Sequence, residues 1–138
     1  MNKKLKIILV FVWMLFIFIM SSFDSTESSD QSGVIVNFVA NLFNINNLEL
    51  VSLIIRKLAH FTEYLILGVL VINWAKDHYN KYLLSILICI IYAISDEVHQ
   101  LFVAGRSCQI IDMMIDTLGS VMGIYLYKLL FIKDTIGK

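Results

Sequence analysis

The chain has 138 residues, 59% hydrophobic and only 16% charged, with a formal net charge of zero and a mean hydropathy of +0.79. A soluble domain carries about 25% charged residues, so an ordinary water-exposed domain is excluded. A disordered chain, which needs low hydrophobicity, is excluded too, and no basic field is left for nucleic acid. The composition points to an all-α integral membrane protein, a conclusion that the absence of proline supports because proline breaks long helices. The expected architecture is a four-transmembrane-helix bundle with a short interfacial helix in its first outer loop.

The first apolar run covers residues 5–20 and follows Lys3, Lys4 and Lys6. A signal peptide begins the same way, but Ser21-Ser22-Phe23-Asp24 offers no A-x-A cleavage pattern. With Ser21, Ser22 and Phe23 the run approaches the ~20 residues that span a bilayer. Residues 1–23 therefore read as an uncleaved first transmembrane helix. Residues 24–55 read as an outer loop. Its segment 25–32 is polar and expected in water. Residues 34–43 are apolar but too few to cross, so they read as an amphipathic helix at the membrane surface, ended by Asn44, Asn46 and Asn47.

Residues 56–132 hold three further predicted spans, at 58–74, 82–95 and 110–132, and 133–138 reads as a tail. Eight of the eleven lysines and arginines fall before the first span, between the second and third, or at the end of the fourth. Arg56, Lys57 and Arg106 fall on the opposite side. Cytoplasmic loops are the lysine- and arginine-rich ones, so both termini are expected inside. Cys89 lies in an apolar run and Cys108 in a loop, without the spacing of a disulfide framework.

The charges inside these spans carry the functional information. Lys57, His60, Glu63 and Tyr64 recur at helical spacing, so they share one helix face. Asp96, His99 and Gln100 share a face if the third helix continues past Ser95, and Glu97 stands beside them. Arg106 follows in the next loop. Asp112 and Asp116 lie one turn apart on the fourth span, and Gly119, Ser120 and Gly123 continue or border that face. An ionised carboxylate at a helix centre costs about 2.5–3.5 kcal/mol on insertion scales. That cost predicts convergence of these groups, with Arg56, on one shared pocket near the outer side. Gly119-x-x-x-Gly123 is read as close helix packing. An Arg106–Asp112 ion pair and a hydrogen-bonded His60–Glu63 pair are the plainer structural expectations.

Three motifs, in order, resemble the VanZ-like family of small bacterial membrane proteins. They are Lys57-x-x-His60-Phe61-x-Glu63-Tyr64-x-x-Leu67-Gly68, then Ser95-Asp96-Glu97-x-His99-Gln100-x-Phe102 with Gly105-Arg106, then Asp112-x-x-x-Asp116-x-x-Gly119-x-x-x-Gly123. The resemblance covers about residues 50–130. This chain has Ala104 where the family often has proline, and Asp116 where it often has asparagine. The resemblance implies a place in the bacterial cytoplasmic membrane and an association with the cell envelope. The family's namesake is linked to low-level resistance to teicoplanin, a lipidated glycopeptide; the resemblance supplies no reaction.

Three functional readings follow. An outward-facing polar pocket binds a lipid head group, a cell-wall intermediate or a lipidated antibiotic, with Arg56, Lys57 and Arg106 on phosphate or carboxylate. Alternatively, His60 and Glu63, joined by Asp96, His99 and Asp112, form an acid–base set or a metal site of a membrane enzyme. A proton-coupled carrier is the third reading, and with so few helices it needs an oligomer.

Overall fold

The computed structural model describes residues 2–23, 25–106 and 108–131, with side chains from 25 to 32 left aside. The expected tail, the end of the fourth span at Ile132 and the water exposure of 25–32 lie outside what is described. Five helices make up the described chain: α1 (Lys3–Ser22), α2 (Ser25–Phe43), α3 (Leu48–Ala75), α4 (Lys81–Gln100) and α5 (Ile110–Phe131). Four of them, α1, α3, α4 and α5, are long and apolar enough to cross a membrane by length and composition.

Two helices are longer than their apolar runs. The Asn47 side chain accepts a hydrogen bond from the Leu50 amide at 3.1 Å, a cap that starts α3 ten residues before its predicted apolar window. Its 28 residues reach ~42 Å, well beyond a hydrocarbon core of ~30 Å, so α3 carries extra turns at its first end. There α2 leans on it through Val36, Ala40 and Val51. The expected surface helix thus begins earlier, at Ser25, and is docked on α3.

Long-range contacts fix an up-and-down order. The Lys6 ammonium donates to the Asn73 carbonyl at 3.0 Å at one end of the bundle. Midway, the Trp13 indole donates to the Glu63 carbonyl at 2.9 Å, and the Tyr92 hydroxyl to the Met14 carbonyl at 2.5 Å. At the far end Ser21 reaches α4. The far end therefore carries Arg56, Lys57 and Arg106, and the near end carries Lys3, Lys4, Lys6, Lys76 and Lys81. Helix α3 is central, touching the other four. Val10, Ile17, Tyr64, Leu67, Val71, Cys89 and Ala93 form the core between α1, α3 and α4. Large side chains such as Phe11, Ile91, Leu118 and Leu129 stay exposed around the outside, as hydrocarbon contact requires and water does not tolerate.

Candidate functional site

The site begins with three glycines. A Cβ placed on Gly119 would lie 2.4 Å from the Phe61 carbonyl oxygen, on Gly123 2.0 Å from that of Leu65, and on Gly68 2.3 Å from that of Ser120. Only hydrogen fits at these points, so the backbones of α3 and α5 touch, as small-residue helix interfaces do. The expected packing role of Gly119 and Gly123 is what the helices show. That contact sets the rotation of both helices and aligns their polar faces. Lys57 forms an ion pair with Asp112. One turn deeper, His60 Nδ1 faces Asp116 Oδ1 at 3.4 Å.

Helix α4 continues through Gln100 and adds the third wall. Asp96 Oδ1 accepts from the Ser21 hydroxyl at 2.6 Å, and its Oδ2 from the Gln100 amide at 3.4 Å. One donor atom each from His60, Asp96 and Asp116 all lie within 4.8 Å of one another. Asp116 is fully buried. Neither of its carboxylate oxygens has a hydrogen-bond partner, and the same holds for His60 Nδ1, the Tyr64 hydroxyl and the Ser120 hydroxyl. Buried polar atoms are nearly always satisfied, so these donors and acceptors are the ones here that a bound group could meet.

Above it lies a cavity of about 90 Å³, lined by Arg56, His60, Gln100, Gly105, Arg106, Gln109 and Asp112. Gly105 takes a left-handed backbone, φ 71°, which an L side chain disfavours, and turns the chain so that Arg106 faces the bundle. The Arg106 Nε donates to the Phe23 carbonyl at 2.9 Å. Burial first, and then the like charge of Arg56, pull the Arg106 guanidinium below its ordinary value; it remains a cation.

The partners differ from the plainer expectations. Asp112 pairs with Lys57 rather than Arg106, and His60 faces Asp116 rather than Glu63. His99 turns away from the cavity, with Nε2 3.0 Å from the Ser22 hydroxyl and its ring stacked on Phe18 at 4.2 Å. Glu63 is half-buried and lines a separate groove between α1 and α3 with Trp13, Phe16 and Leu58. Glu97 is fully buried, and its Oε2 accepts from the Gln109 amide at 2.8 Å, capping the start of α5. Tyr64 is in the core, its ring 6.1 Å from that of Tyr92.

Ser21, Ser22 and Gln109, which contact Asp96, His99 and Glu97, do not stand out in the sequence as partners of the charged groups. The available signal was two serines ending an apolar run at the depth where the neighbouring helices turn polar. The thiols of buried Cys89 and half-buried Cys108 are both free.

The chain matches the VanZ/LLP1 family over residues 6–131. No curated protein and no solved structure matches it.

Proposed function

The chain belongs to the VanZ/LLP1 family, and on that premise we propose an envelope protein of a bacterial cytoplasmic membrane that binds an anionic head group. Both termini are cytoplasmic and the Arg106 end faces outward. The orientation is supported by the lysines at the near end and the rule that such loops stay inside.

The observation that carries the reading is the polar cavity itself. Two arginines, Arg56 and Arg106, line one small space with Gln100 and Gln109. Asp112 also lines it, but Lys57 answers that charge. Arg56 opposes the Arg106 charge while Asp96, Glu97 and Glu63 support it, and an anion held by both arginines would add to that support. Arginine presents a planar fork that fits phosphate or carboxylate.

Size narrows the ligand. At ~30 Å³ per water in the liquid, 90 Å³ is the room of roughly three waters. A phosphate or carboxylate group fits; a whole glycopeptide does not. The substrate class is therefore the head group of a membrane lipid or lipid-linked cell-wall intermediate, or a single charged group of a lipidated antibiotic such as teicoplanin.

The test is Arg106→Ala in cells whose wild-type protein protects against teicoplanin, compared at equal protein level. Protection is expected to fall to that of cells lacking the protein, with Arg106→Lys in between because it keeps the charge and loses the fork. Unchanged protection in Arg106→Ala overturns the reading.

A further inference from the structure

We infer that His60, Asp96 and Asp116 form a binding site for one divalent transition-metal ion, with zinc the best chemical match. The inference concerns a cation held beneath the cavity and stands whether or not a head group binds above it.

The three residues come from three different helices, and their donor atoms lie within 4.8 Å of one another. Zinc binds imidazole nitrogen and carboxylate oxygen at about 2.0–2.2 Å, and two such donors across a tetrahedral ion stand ~3.4 Å apart. His60 Nδ1 and Asp116 Oδ1 are already 3.4 Å apart without being hydrogen-bonded. Asp96 needs only to close on them.

The burial of Asp116 is the independent observation. Its carboxylate is fully buried, is aimed at His60, and leaves both oxygens without a hydrogen bond. A carboxylate in that position is costly unless a protonated His60 pairs with it or it coordinates a metal. With His60 neutral, as metal ligation requires, the two carboxylates carry two negative charges, which one divalent ion neutralises. The mixed nitrogen and oxygen donor set favours zinc over magnesium, which prefers oxygen alone.

The surroundings complete the case. Ser21 and Gln100 both donate to Asp96, the outer-shell support that orients a metal-binding carboxylate. His60 also lines the polar cavity, which gives an ion a route from the far end of the bundle. Three protein donors leave a coordination position free, as in sites that take a water or a ligand.

The experiment uses the full chain, purified in detergent in a Cys108→Ser background so that the half-buried thiol does not compete. The protein is stripped with a chelator and titrated with zinc chloride alone. Bound zinc is counted by mass spectrometry after gel filtration, and the melting temperature is followed in parallel. One zinc per chain and a raised melting temperature are expected. Asp116→Asn, Asp96→Asn and His60→Gln are each expected to weaken binding at least about tenfold, while His78→Ala, at the other end of the bundle, leaves it unchanged.

Melting curves recorded without metal identify any variant that fails to fold, and the wild-type titration needs no variant at all. Wild-type protein that takes up no zinc overturns the site. So does a folded Asp116→Asn that binds zinc as wild type does.

Discussion

Gly123 of α5 lies so close to Leu65 of α3 that a methyl group on it would stand 2.0 Å from the Leu65 carbonyl oxygen. The obstacle is backbone, which cannot swing aside as a side chain does. Gly123→Ala is therefore expected to push the two helices apart, at a cost on the order of 1–3 kcal/mol or more. Gly119→Ala, facing Phe61 at 2.4 Å, should behave alike. Gly33→Ala is the contrast: nothing lies within 4 Å of its Cβ position, and alanine is the better helix former by up to ~1 kcal/mol. Unfolding in detergent with added denaturant measures all three. Equal stability of Gly123→Ala and wild type would show that the helices are not held this closely.

The same helix contact governs the ion pair above it. Lys57 and Asp112 keep side-chain exposures of 23% and 12%, between the limits of a surface pair, worth ~0–1 kcal/mol, and a buried pair, whose breaking costs ~3–5. Lys57→Met or Asp112→Asn alone is expected to cost roughly 1–3 kcal/mol, because each leaves a partly buried charge without its partner. The double variant should cost clearly less than the sum. Strict additivity in the four-protein cycle would mean that the two residues do not interact.

This pairing shows where sequence reasoning succeeds and where it stops. Spacing of three and four residues put Lys57 with His60, and Asp112 with Asp116, on single faces, and the cost of charge in lipid brought those faces together. Both inferences need only one helix at a time. Choosing Lys57 over Arg106 as the partner of Asp112, or Asp116 over Glu63 as that of His60, needs the rotation of α3 against α5, which the three glycines set and helical periodicity does not contain. Glu63 shares a face with His60 by spacing, yet the face is wide enough that one edge meets α5 and the other borders the groove beside α1. The extra turns of α3 escaped notice for a different reason: residues 48–57 mix Glu49, Ser52, Arg56 and Lys57 with leucines and isoleucines, so the apolar run stops where the helix does not. Family resemblance supplied the motif positions but not the geometry.

Glu97 illustrates a motif residue whose contact is structural. Its Oε2 accepts the Gln109 amide at 2.8 Å, so a carboxylate from α4 sits at the first turn of α5, where negative charge suits the helix dipole. Glu97→Ala removes that cap and is expected to cost about 1–2 kcal/mol and to speed protease clipping between residues 101 and 109. Glu97→Gln keeps an acceptor oxygen and should lose less. The measurement is the unfolding midpoint together with the clipping rate. Clipping of Glu97→Ala at the wild-type rate would show that the loop does not depend on this contact.

Which side of the membrane the cavity faces is testable apart from any ligand. Ala104, in the loop beside Arg106, is exposed, and Tyr79, between α3 and α4 at the opposite end, is 99% exposed. In a Cys108→Ser background the remaining native thiol, Cys89, is buried and 1% exposed, so a cysteine placed at either position is the accessible one. If lysine-rich loops stay inside, a maleimide that cannot cross membranes labels Ala104→Cys in intact cells and labels Tyr79→Cys only after the cells are opened. The reverse pattern inverts the protein and puts Arg56 and Arg106 on the cytoplasmic side, where a cavity for outer-leaflet head groups has no purpose. Labelling of both positions in intact cells would contradict the bundle more deeply, because α3 and α4 place these two loops at opposite ends of helices long enough to cross the bilayer.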